Sequence, residues 1–310
     1  MLDVIKIVLP VIMMLIIGKL CNRFGLLSKE GSSQIKKLMV NVVLPVAVFH
    51  AMATGTYSLS VACVCLLILG ILAVSLAAGY LLRPLIKGEY GKYLPFVTAV
   101  FEGGMIAYPL YSSACGSENL SNIASLDIAN CIFCFSVVTA LIKVQEEGSR
   151  PTVGNLLKGA FTNPTFDAAL IGIIVGLSGV MDIFLPTSAG AVYEAMEATL
   201  TASLSPMILL VVGFDMTFDR ELLGPCIKAV AIRVILQLIL MVPSYYLVNM
   251  LFPGNELMRL AILIYMIAPP SYSIPAFVKK DAGLKFMATV NSIYCLVTVL
   301  LYSVILTMFL

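Results

Sequence analysis

Charge is what this sequence has least of: 12% of its 310 residues are Asp, Glu, Lys or Arg, whereas 60% are hydrophobic. A soluble globular domain carries about 25% charged residues, and a mean hydropathy of +1.03 excludes that class and leaves the bilayer as solvent. No basic stripe or Lys/Arg-rich run is present and the net charge is only +2, so nothing is offered to a nucleic-acid backbone. Histidine occurs once, at His50, with no Cys, Asp or Glu at ligand spacing, and no metal site is expected. The motifs GxxxxGK[ST], HExxH and GxSxG are absent, as are paired aspartates. ATP hydrolysis by this chain is thereby excluded, an intramembrane enzyme has no footing, and no cofactor is implied.

The eight cysteines fall mostly inside apolar runs. Cys131 and Cys134 form a CxxC, but redox and zinc sites need polar surroundings that stabilise thiolate, so these thiols are read as small packing residues. The first apolar segment contains Lys6 and Pro10, lacks a small-residue cleavage site and is read as a mature helix.

What is there in abundance is long apolar runs. A span needs roughly 20 mainly apolar residues, and ten can be placed: 4–20, 34–53, 59–82, 93–112, 123–144, 166–185, 198–214, 225–251, 257–277 and 286–310. Of the 19 Lys and Arg, 17 lie at alternate loops, beginning with Lys19, Arg23, Lys29, Lys36 and Lys37 at the first. The positive-inside rule then makes odd-numbered loops cytoplasmic and both termini extracytoplasmic. Residues 1–145 hold the first five spans, 146–165 a cytoplasmic linker and 166–310 the second five; no extramembrane domain is expected.

Met105-Ile-Ala-Tyr-Pro-Leu-Tyr-Ser112 matches Met266-Ile-Ala-Pro-Pro-Ser-Tyr-Ser273 at six of eight positions, at an offset of 161 residues. The same offset carries Pro45 onto Pro206, Asn130 onto Asn291, and the start of the first span onto that of the sixth. Two units of five spans enter the membrane from opposite sides, so the reading is an all-α polytopic protein built as an inverted repeat, an arrangement typical of secondary transporters. Proline breaks a helix and frees backbone groups, which are tolerated at membrane depth only inside protein or beside water. Breaks in the fourth and ninth spans, one near Gly103, Gly104 and Pro109, the other near Pro269 and Pro270, therefore mark a central site.

The chain resembles the auxin efflux carrier family, which includes plant auxin carriers and bacterial permeases for organic acids such as malate and malonate. The resemblance covers nearly the whole chain and rests on residues taken in order: Gly25-Leu-Leu-Ser28, Asn41-Val-Val-Leu-Pro45, Gly104 with Pro109-Leu110, Asn163-Pro164, Ser205-Pro206 through Gly213, and Arg233 with Pro243. It implies a ten-helix fold in which helices 1, 2, 6 and 7 form a scaffold and the other six a transport domain with crossed, broken helices 4 and 9. It further implies small carboxylate substrates, a place in the cell membrane and a homodimer. Where the family usually has Asn before the glycine of the fourth span, this chain has Glu102, and Ile274 and Pro275 stand where a polar residue is common.

Glu102 lies mid-span, where a carboxylate is costly and by default functional. It is the candidate for proton or sodium coupling, or a carboxyl group satisfied by its neighbours. Backbone amides near Gly104 and Pro270 are the expected anion contacts, because half-helix N-termini favour negative charge. Asn41, one turn before Pro45, bonds substrate or caps a kink. Asn130 and Asn291 complete a polar site or bond between helices. Tyr108, Tyr111 and Tyr272 contact substrate or fill space around the breaks. The candidate substrate set is Asn41, Glu102, Gly104, Tyr108, Pro109, Asn130, Pro270, Ser271, Tyr272 and Asn291. Arg233 is expected to snorkel to the cytoplasmic interface, with anion attraction or pairing to Asp215 or Asp219 as alternatives, and Gly172 and Gly176 to serve close helix packing. A sensor of the same fold, or an anion channel, would share most of these features.

Overall fold

A computed structural model describes residues 2–55, 59–147, 164–272 and 274–309. The described residues are helical, with no strand among them. Seven helical runs are long and apolar enough to cross a membrane: Val4–Arg23, Lys29–Ala53, Leu59–Leu85, Ser117–Glu146, Ser188–Asp215, Arg220–Leu251 and Asp281–Phe309. A shorter apolar helix, Pro164–Ser178, resumes after left-handed Gly179 (φ 69°) as Val180–Phe184. Large apolar side chains such as Ile5, Leu59, Ile174, Ile239 and Leu300 face outward, while Glu102, Asp127, Asn130, Arg233, Gln237 and Asn291 are buried. That distribution, apolar outside and polar at the centre, is the one a bilayer selects. Residues 148–163, including Asn163 and most of the expected linker, lie outside the described residues.

The second helix begins earlier than hydropathy suggests because Ser28 caps it, accepting from the Gly31 N–H at 3.0 Å. Its first ten residues, Lys29–Leu38, are mostly polar and carry Lys36 and Lys37 in the last turn. A five-residue π-helical stretch, Met39–Val43, follows and ends two residues before Pro45. Gly103–Ala107 does the same two residues before Pro109. A π turn shifts hydrogen bonding to i→i+5, as in Leu44 N–H to Met39 O and Tyr108 N–H to Gly103 O. The wider turn gives the pyrrolidine ring room against the preceding carbonyl. Pro109 therefore sits within continuous helix, and the break expected at it lies upstream.

That first break spans residues 100–102, between helices Leu94–Ala99 and Gly103–Cys115. The second lies between Glu256–Met266 and the short Ile274–Phe277. Hence Met105–Ala107 open a helix whereas their repeat partners Met266–Ala268 leave one. The cause is local: Pro269 and Pro270 remove two successive donors from the second segment, while the first bends where Gly103 and Gly104 leave room for neighbours.

The two most extensive helix pairings are Leu2–Arg23 with Leu204–Asp215 and Leu44–Ala53 with Pro164–Ser178. Glycine makes both close. A Cβ on Gly213 would strike the Leu15 carbonyl, and one on Gly172 would meet Met52 and the Phe49 carbonyl. Gly213→Val is expected to lower the melting midpoint of the detergent-purified protein, overpacking costing about 1–3 kcal/mol. Gly70→Val, at a position with open space around it, should leave the midpoint where it was; equal midpoints for the two variants would contradict this packing.

Candidate functional site

The two interrupted segments meet at their breaks, and Glu102 is bonded to both. Its N–H donates to the Pro269 carbonyl at 2.8 Å. Its carboxylate caps its own helix, accepting from the Met105 N–H at 3.1 Å, and reaches across to accept from the Tyr272 N–H at 2.6 Å. Charge-assisted bonds to main-chain amides are about twice as strong as neutral ones, and freed amides at this depth need an acceptor.

A second acid stands behind the first. Asp127, buried in the helix Leu120–Phe133, accepts from the Tyr265 hydroxyl at 2.6 Å and the Tyr108 hydroxyl at 3.0 Å. Tyr265 lies in the segment before one break and Tyr108 in the segment after the other. Gly103 leaves room for this carboxylate, which a Cβ there would strike. Asn130, one turn on, donates to Asp127 and closes a two-way bridge with the Phe101 main chain, all at 3.0 Å. Both main-chain groups of Phe101, in the middle of the break, are thus paired by one side-chain amide.

The carbonyl side is held by Arg233, which is fully buried. Its guanidinium donates to the carbonyls of Val97, Thr98 (2.9 Å) and Ala268 (3.0 Å) and lies 4.9 Å from the Phe101 ring centre and 5.1 Å from that of Tyr294. Those carbonyls end the two half-helices, where the helix dipole is negative. Gln237 adds a bond to Thr98 O at 3.1 Å, and Thr298 one to Ile267 O at 2.7 Å. The expectation that Arg233 snorkels to the interface is therefore corrected: carbonyls freed by both breaks hold it in the interior.

Glu102 and Asp127 line a cavity of about 430 Å³, together with Asn41, Gly104, Asn130, Ser271 and Tyr272. Lys36 and Lys37 stand on its wall, so both signs of charge face one space. A smaller cavity of about 130 Å³ adjoins it across Lys36 and Tyr272, lined also by Asp215, Asn291 and Ser292.

Residues 3–309 match the family described as Membrane transport protein. The chain belongs to this family of auxin efflux carrier-like membrane transporters. An uncharacterized transporter of Methanothermobacter thermautotrophicus is 24% identical over 216 residues, covering 68% of this chain and 67% of the relative.

Within this transporter, six of the ten residues singled out from sequence line the larger cavity: Asn41, Glu102, Gly104, Asn130, Ser271 and Tyr272. Asn291 lines the smaller one, and Pro270 a void of about 10 Å³ shared with Ser271 and Asn291. Tyr108 and Pro109 line none of these spaces; Tyr108 is turned onto Asp127. Of the backbone amides near Gly104 and Pro270 expected to receive an anion, those of Met105 and Tyr272 are already bonded to Glu102. His50 lines none of these spaces and bonds Tyr193 at 3.1 Å. No group of three metal-ligating side chains occurs among the described residues. Sequence reasoning missed Asp127, although a carboxylate inside an apolar run, three residues before Asn130, was the available signal. Lys36 and Lys37 were read only as topological markers.

Proposed function

We propose that this transporter is a secondary carrier of small organic anions, carboxylates foremost, working by alternating access in the cell membrane with the substrate held where the two interrupted helices meet. The observation that carries this reading is the cavity of about 430 Å³, lined by the two broken segments with Glu102 and by Lys36, Lys37 and Asn41 of the second helix. Pockets of this size suit small molecules, and lysines at the wall attract anions. Glu102 couples the cycle to a proton or to sodium: protonated or cation-bound, it loses its pull on the two amides and its repulsion of an incoming anion.

In this reading the chain has ten spans in two inverted units, with odd loops cytoplasmic, both termini outside and a homodimer formed through the scaffold. Support for the inverted repeat comes from the helix pairings. The repeat exchanges helix 1 with 6 and helix 2 with 7, so a 1–7 pairing must have a 2–6 counterpart. Those are the two most extensive pairings. Helices 1, 2, 6 and 7 then form the scaffold against which the other six move.

The test is ligand-induced thermal stabilisation of the detergent-purified protein across mono- and dicarboxylates, at mildly acidic and neutral pH. A carboxylate hit weakened by Asn41→Ala is the expected result. A panel in which no carboxylate raises the melting midpoint at either pH would reject the organic-anion reading.

A further inference from the structure

The smaller cavity is lined by a side-chain amide that no described residue engages. Asn291 is only 7% exposed, and its side chain makes no hydrogen bond with any described residue, while it lines the space of about 130 Å³ shared with Lys36, Asp215, Tyr272 and Ser292. Its repeat counterpart Asn130 is fully engaged by Phe101 and Asp127. The Asn291 amide is thus open to whatever occupies the cavity it lines. Lys36 stands at the boundary of both cavities and is bridged to Asp215 at 3.3 Å, with both side chains more than a third exposed. Pairs of that kind are worth about 0–1 kcal/mol and exchange readily. In the larger cavity, by contrast, the Met105 and Tyr272 amides, one beside each break, are already taken by Glu102.

We infer that the smaller cavity is the seat of the substrate's carboxylate, with Lys36 supplying the charge and the Asn291 amide the N–H donor, while the rest of the substrate lies across Tyr272 in the larger cavity. The inference rests on the organic-anion reading and deepens it. The incoming carboxylate replaces Asp215 at Lys36, so the ammonium exchanges one anionic partner for another and Asp215 turns to solvent. The carboxylate then lies in a cavity that Glu102 does not itself line.

The test is thermal stabilisation of the full chain by acetate and by malonate, in wild type and in three variants. Asn291→Asp is nearly isosteric but replaces the donor with a negative acceptor. Lys36→Gln removes the charge. Ala288→Leu fills the smaller cavity, which Ala288 lines, without touching Asn291 chemistry. Each is expected to raise the concentration of malonate needed for half-maximal stabilisation at least tenfold. Retention of wild-type malonate response by both Asn291→Asp and Ala288→Leu would place the carboxylate elsewhere and overturn the seat, with the organic-anion reading intact. If neither acetate nor malonate, nor any other carboxylate, stabilises the wild type, both inferences fall together.

Discussion

Replacement of Arg233 by Gln is expected to lower stability by about 1.5–3 kcal/mol for each charge-assisted bond lost, and to abolish transport. Arg233 donates to three carbonyls on two half-helices. Gln offers two N–H groups on a shorter stem and no charge, so at least one carbonyl loses its donor. The ring contacts with Phe101 and Tyr294 disappear with it. Arg233→Lys keeps the charge but presents a point ammonium where a planar fork is required, and should fall between wild type and Gln. Melting midpoints in detergent check the first part of this prediction and uptake in proteoliposomes the second. A Gln variant as stable and as active as wild type would mean that the breaks are held together by something else.

Substitution of Glu102 acts on the amide side of the same junction. In Glu102→Ala, the bonds to Met105 N–H and Tyr272 N–H are both lost, at about 1.5–3 kcal/mol for each bond to a charged acceptor. Flux is expected to fall more than tenfold, because the two segments are no longer registered against each other. Glu102→Gln retains one acceptor oxygen but cannot ionise. Wild-type flux should rise as the medium is made mildly acidic, since protonation frees the amides and removes a repelling charge; flux through Glu102→Gln should be flat across the same range. A Gln variant that kept the wild-type pH profile would move the coupling role to another group, and Asp127, the second carboxylate of the cavity, would be the next to test.

These variants also bear on what could be read from the chain itself. Hydropathy located the long apolar runs, because a bilayer forces them and leaves few other solutions, but the helical run Ser188–Asp215 begins ten residues before the span read at 198–214, since its first turns carry too many polar residues to stand out. The fine structure of the breaks was not legible. Pro109 looks like a breaker in sequence, but the π turn before it accommodates the ring, and the bend falls where Gly103 yields space to Asp127. Nothing local in the sequence distinguishes a proline placed after a π turn from one that ends a helix.

Arg233 failed for a related reason. An arginine near a span end is ordinarily free to reach the interface, and only the placement of three carbonyls from two distant segments makes the interior the better site. Glu102 and Asn130 were legible as polar residues in apolar runs, yet their bonds to Tyr272 and Phe101 join positions far apart in sequence that no pattern predicts. Lys36 shows the converse limit: a charge counted only for topology also faces both cavities.

The measurement that bears most directly on the account is counterflow in proteoliposomes: vesicles holding purified protein and preloaded with an unlabelled carboxylate are diluted into trace labelled carboxylate. A carrier that alternates access accumulates label transiently above its outside concentration, which protein-free vesicles do not. Absence of accumulation, with wild-type and protein-free vesicles indistinguishable for every carboxylate that stabilises the protein, would contradict carriage of organic anions by this chain.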